Sequence, residues 1–151
     1  MSTFETIARR RSIGKMTAER PTRNQIERIL TAATHAPNHH NVQPWRFFVL
    51  AGNARAELSE VMAEPLLARL GTLDSEKGQA MLAKERTKLL RAPVVIVAAA
   101  EYPKQQKVLE IENVEVVAAA VENMLLTAEE LGRAAMWRTV DAAYDARIKQ
   151  W

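Results

Sequence analysis

Apolar residues recur along this chain at two spacings, and the change between them marks out its elements. Ser2-Thr3-Phe4-Glu5 has the form of a capping box, a serine cap with glutamate three residues on, and predicts a short helix carrying Phe4, Ile7 and Ala8 inward and ending in Arg9-Arg10-Arg11. Thr22 and Gln25 repeat the device, after which Ile26, Ile29, Leu30 and Ala33 fall on one stripe of a second helix. Pro37 limits it, because the residue before a proline is pushed out of the helical region. Trp45 to Leu50 then reads as a strand, rich in aromatic and β-branched residues and closed by Ala51-Gly52-Asn53, with Trp45 as core.

The second half alternates in the same way. Residues 54 to 70 predict a helix with Leu58, Val61, Met62, Leu66 and Leu67 inward and a kink or break at Pro65. Asp74-Ser75 caps a charged helix reaching Leu89-Leu90, whose weak pattern suggests a flap or surface excursion. Pro93 to Ala100 is a continuous apolar run, expected as a strand buried on both faces. Val108 to Leu131 is the longest helical signal, with Val114, Val117, Ala118, Val121, Met124, Leu125, Ala128 and Leu131 on one stripe, which Ile111, Val116, Ala119 and Ala120 widen nearly all round. Gly132 suits a left-handed helix end, Ala134 to Thr139 a further strand, and Asp141 the cap of a last helix from Ala142 to Trp151. The class is α+β, a small central sheet flanked by helices.

At 151 residues the chain is expected to form a single domain spanning 1–151. It has no cysteine, which excludes disulfides and thiolate metal sites. The N-terminus lacks the pattern of a secretory leader and no apolar run reaches membrane-spanning length, so a cytoplasmic protein without a membrane partner is expected. Lys plus Arg number 21 against 18 Asp plus Glu, a formal charge of +3. That mild excess and the Arg9-Arg10-Arg11 run are all that favours a nucleic-acid partner, so none is expected. Neither GxGxxG nor GxxxxGK[ST] is present, so any nucleotide must be gripped by side chains and ordinary backbone.

Between Pro37 and Pro44 lies a polar loop, Asn38-His39-His40-Asn41-Val42-Gln43, holding two of the three histidines. Such a loop costs ordering entropy and buries little, so it is expected to hold a ligand. His35 and His39 stand four apart, but Pro37 breaks the helix face a metal pair would need, leaving hydrogen bonding or stacking as their role. On composition alone, Arg9 to Arg11 complement the dipole at a helix end.

Three stretches together resemble the FMN-dependent nitroreductase family: Arg10-Arg11-Ser12-Ile13; Ala36-Pro37 with Asn41-Val42-Gln43-Pro44-Trp45-Arg46-Phe47; and Gly132 with Ala135-Met136-Trp137-Arg138-Thr139. They stand in the family's order and cover essentially the whole chain. The resemblance implies an intertwined homodimer, an FMN cofactor, NADH or NADPH as co-substrate, and a nitro compound, quinone or related acceptor reduced by a ping-pong mechanism. It also implies that Arg10, Arg11 and Ser12 bind the FMN phosphate and nearby polar atoms and that Trp137, Arg138 and Thr139 line the flavin, while His35, His39 and Asn41 close the site across the dimer. No side chain is implied as general acid or base. Two departures stand out. Gly14 occupies a position where the family has a basic residue, with Lys15 only after it, and the family pattern continues for several tens of residues beyond Trp151. Both keep open an alternative, a truncated or degenerate flavin-binding or dimerisation module without catalysis.

Overall fold

A computed structural model describes residues 2–71, 75–102 and 108–151. Six α-helices and two strands are described: α1 (Thr3–Arg9), α2 (Arg23–Ala33), β1 (Trp45–Ala51), α3 (Ala54–Leu70), α4 (Glu76–Arg86), β2 (Val94–Ala100), α5 (Glu110–Glu130) and α6 (Ala146–Gln150). The chain divides into two compact units, one comprising residues 1–14, 20–49 and 96–137 and the other residues 15–19, 50–95 and 138–151.

The first unit is built on α2 packed against α5. Ile29 and Ala33 from α2, Trp45 from β1, and Val116, Val117, Ala120, Met124 and Ala128 from α5 form its buried cluster. Ala33 and Ala120 are fully buried, and their small side chains let the two backbones approach closely. Asn123 Nδ2 adds a hydrogen bond of 3.1 Å to the Ala32 carbonyl, which also accepts the His35 N–H just past the end of α2. The N–H of Glu101 donates to the Pro44 carbonyl at 2.7 Å. That bond joins the end of β2 to the start of β1, so the strands run antiparallel.

Both capping boxes form. Ser2 Oγ accepts from Glu5 N while Glu5 Oε2 accepts from Ser2 N, and Thr22 and Gln25 do the same. The face of α1 differs from expectation: Phe4 and Ile7 point outward and Thr6 is buried. Thr6 can be buried cheaply because its hydroxyl donates to the Ser2 carbonyl at 3.1 Å. In α5, Val114 and Ile111 are exposed and the buried set is Asn113, Val116, Val117, Ala120, Met124 and Ala128. β2 is partly exposed along its length instead of buried on both faces, since a two-stranded sheet leaves each strand an open edge.

In the second unit α3 runs unbroken through Pro65, so no break occurs there. Leu58, Ser59, Met62 and Ala63 are its buried positions, and Leu67 is exposed. Ser75 caps α4 by accepting from Gly78 N, whereas Asp74 lies outside the described residues. The weak helical pattern to Leu90 resolves into α4 and a separate 3-10 turn, Lys88–Arg91. Asp145, not Asp141, caps the last helix by accepting from Arg147 N at 2.9 Å; Asp141 begins a 3-10 turn. No described helix is long and apolar enough to cross a membrane.

Candidate functional site

The C-terminal end of α1 delivers the arginine run to a surface of the first unit. Arg10 is the helix C-cap, its side chain mostly covered, with Nε 3.9 Å from Glu122 on α5; Arg9 Nε stands 3.9 Å from Glu129. Arg11 turns back on its own helix, Nη1 donating to the carbonyls of Ala8 at 2.7 Å and Arg10 at 2.9 Å. It thus satisfies carbonyls that the helix end leaves open.

Just beyond, Ser12 forms a parallel bridge with Ala135, and Ile13 N donates to the Ala135 carbonyl at 3.1 Å. This single bridge brings Arg10-Arg11-Ser12 beside Ala135-Met136-Trp137. Gly132, at φ +68°, turns the chain out of α5 toward the bridge. The expected strand over 134–139 is therefore an extended segment with one bridge, because among the described residues only Ser12 pairs with it. Gly14 lies against Met136: a Cβ there would stand 3.3 Å from both Sδ and Cε, so a larger side chain would require Met136 to move. Ser12 and Trp137 are exposed, Trp137 to 48%. Arg138 and Thr139 are exposed too, and belong to the second unit.

The second candidate cluster occupies the loop after α2. His40, Asn41 and Gln43 all adopt left-handed backbone, at φ +52°, +53° and +49°. Each non-glycine residue held there costs of order 1 kcal/mol or more, and the loop supplies compensating bonds. Asn38 Oδ1 accepts from Gln43 N at 3.0 Å, while Asn41 Oδ1 accepts from Asn38 Nδ2 at 3.3 Å and Gln43 Nε2 at 3.4 Å. With both lone pairs of its oxygen engaged, Asn41 has only its Nδ2 hydrogens left to offer a ligand. Arg46 closes the loop from β1, pairing with Glu101 and donating to the Trp45 carbonyl at 2.8 Å.

His39 reaches the first turn of α5, where its Nδ1 lies 3.2 Å from Glu112 Oε1; its ring stacks on His40 with centroids 4.2 Å apart. Glu112 also accepts from Leu109 N at 2.8 Å. The Leu109 N–H holds the Glu112 carboxyl below the usual carboxylate range; burial opposes it, and the His39 bond and the nearby His40 add smaller effects in the same direction as Leu109. His35 is exposed just past the end of α2, its N–H donating to the Ala32 carbonyl at 3.2 Å. Glu112, Asn38 and Arg46 were not singled out from sequence. The readable signal for Glu112 was its place in the first turn of the long helical pattern, three residues after the Leu109 cap, where acidic residues cap.

Within the first unit the candidate residues fall in more than one place. Arg10, Arg11, Ser12 and Trp137 gather at one place, while His39 marks another at the start of α5. Glu112 and Glu122, the α5 partners of His39 and Arg10, are separated by about 15 Å of helix axis. Among the described residues no group of His, Asp and Glu is arranged to hold a metal.

Comparison with known proteins gives a consistent result. A model of the Nitroreductase family matches residues 7–151. "Putative NAD(P)H nitroreductase YdjA" of Escherichia coli (strain K12) is 30% identical over 139 residues, covering 92% of this chain and 73% of that protein. Among solved structures, a nitroreductase-like family protein from Bacillus cereus superposes with a TM-score of 0.80 at 24% identity, covering 99% of this chain and 76% of its own. A protein from Desulfovibrio desulfuricans, solved in complex with FMN, gives a TM-score of 0.59 at 26% identity over 85% of this chain and 63% of its own.

Proposed function

The chain belongs to the nitroreductase family, and on that premise we propose that it binds FMN and acts as an NAD(P)H-dependent flavin oxidoreductase. The observation that carries the proposal is the Ser12–Ala135 bridge, which gathers cations, a hydroxyl and an exposed indole on one surface. The donor set fits the cofactor. Arg10 and Ser12 suit a phosphate, guanidinium being matched to its oxygens, and Trp137 offers an aromatic face for a flat ring. Arg11 spends part of its donor set on α1, so its role is shared between helix end and ligand. Arg138 and Thr139 follow directly in the chain and are read as lining the flavin.

When bound, FMN would supply the redox chemistry, taking reducing equivalents from NADH or NADPH and, in a second half-reaction of a ping-pong order, giving them to a nitro compound, quinone or related acceptor. The residues here bind and orient. Arg10 needs release from Glu122 to meet a phosphate fully, a small cost for an ion pair at 3.9 Å. His35, His39 and Asn41 are assigned to the site of a second copy, in a homodimer. The displacement of His39 along α5 from the Arg10 cluster supports that reading, as does the exposure of Leu109, Ile111 and Val114 near the same end of α5.

The test is a visible spectrum of the purified protein, repeated after adding FMN and desalting. Retained flavin bands that bleach with NADH or NADPH support the enzyme and select the donor. A protein that stays colourless after FMN addition overturns the reading in favour of a non-catalytic dimerisation module.

A further inference from the structure

The His39–Glu112 contact carries more than loop anchoring. An ionised carboxylate only accepts hydrogen bonds, so the contact at 3.2 Å requires the hydrogen to sit on Nδ1. In the neutral ring the other nitrogen, Nε2, then bears a lone pair. Glu112 is itself held in place, because its second oxygen receives the Leu109 N–H at 2.8 Å. The imidazole is held at one edge by Glu112 and on one face by the stacked ring of His40. His39 is half exposed, and no described residue hydrogen-bonds its Nε2.

We propose that Glu112 is a positioning residue that fixes His39 as its Nδ1–H tautomer, so that Nε2 accepts a hydrogen bond from a hydroxyl or imide N–H of the flavin and does not contact its phosphate. A lone pair directed at an anion is repelled, whereas the ribityl hydroxyls and the ring imide are donors. The inference rests on the flavin reading above. It sorts the candidate residues by chemistry: Arg10 and Ser12 for phosphate oxygens, His39 for the uncharged part of the same ligand class.

Glu112→Gln is the discriminating variant. Glutamine serves equally well at this capping position, and with its carbonyl kept by the Leu109 N–H, its amide N–H₂ faces Nδ1 and forces the hydrogen onto Nε2. The ring 15N chemical shifts of His39 at pH 8.5 report the tautomer directly, in wild type and variant, with circular dichroism as the check on α5. Wild type is expected as Nδ1–H and Glu112→Gln as Nε2–H with helix content unchanged. Binding of both FMN and riboflavin should weaken by about tenfold in the variant, the scale of one lost hydrogen bond. An Nε2–H or protonated ring in the wild type overturns the inference. So does an inverted tautomer with unchanged binding, or a loss seen with FMN and not with riboflavin. If the wild type shows the Nδ1–H ring yet binds neither flavin, the flavin reading itself has failed, and with it the ligand assigned to Nε2.

Discussion

Ile13 donates its backbone N–H to the carbonyl of Ala135 at 3.1 Å, and this bond joins the first helix end to the segment leaving the last long helix. Everything proposed for the phosphate end of the site depends on that join. Replacing Ile13 by proline removes the donor and costs about 0.5–1.5 kcal/mol for the bond itself. The α2–α5 cluster is untouched, so the thermal midpoint should fall by only a few degrees. FMN affinity should fall by about tenfold or more, because Ser12 loses its register against Ala135. Fluorescence titration with FMN beside a melting curve measures both; unchanged affinity would show that the bridge does not organise a site.

Arg10 and Arg11 are neighbours with different uses. Arg10→Ala should weaken FMN by roughly 10- to 100-fold, the worth of a charge-assisted bond, and leave riboflavin, which has no phosphate, nearly unaffected. Arg11 already donates to the Ala8 and Arg10 carbonyls. Arg11→Ala should therefore cost α1 stability, about 0.5–1 kcal/mol, with the smaller effect on FMN. Paired titrations of both variants with the two flavins separate the roles, and equal losses on FMN would argue against the distinction.

What was legible in the sequence follows from how far apart the interacting residues are. Ser2 with Glu5 and Thr22 with Gln25 are one helical turn apart, so residue type and spacing alone specify them. The burial of Trp45 and the Ile29–Ala33 stripe followed from periodicity. The outward turn of Phe4 and Ile7 did not, because a helix of two turns has no strong stripe and its neighbour α5 decides which side is covered. Nor did Pro65 break its helix: a single missing N–H within a helix of seventeen residues is tolerated. The pairings of Ser12 with Ala135 and His39 with Glu112 join distant segments, and no local pattern encodes them. Motif resemblance covered both members of the first pair without pairing them, and of the second pair it covered His39 and left Glu112 unseen.

The capping box of α1 gives the fold an acid-sensitive point. The Ser2 N–H and hydroxyl, with Arg9 adding a smaller effect, hold the Glu5 carboxyl below its ordinary value of 4.5. A depressed carboxylate stabilises the fold above its unfolded-state value and loses that contribution as pH falls through the folded one. Wild type should therefore be more stable than Glu5→Ala at pH 6, and the gap should narrow steadily from about pH 4.5 downward. Denaturation midpoints of the two proteins at several pH values check this. A gap that stays constant to pH 3 would mean that the bond to Ser2 does not depend on the ionised form.

The separation of His39 from Arg10 along α5 makes a prediction that no single variant can test. If each flavin is held by Arg10 of one copy and His39 of the other, Arg10→Ala and His39→Ala homodimers each carry two defective sites. Unfolding and refolding the two variants together in equal amounts gives mixed dimers, in which one site has lost both residues and the other has lost neither. With random pairing half the dimers are mixed, so about a quarter of all sites should recover wild-type affinity. Two-phase binding in an FMN titration, absent from either variant alone, is the expected signature. A mixture that behaves as the sum of its parts would place Arg10 and His39 in the same copy's site, or His39 in none.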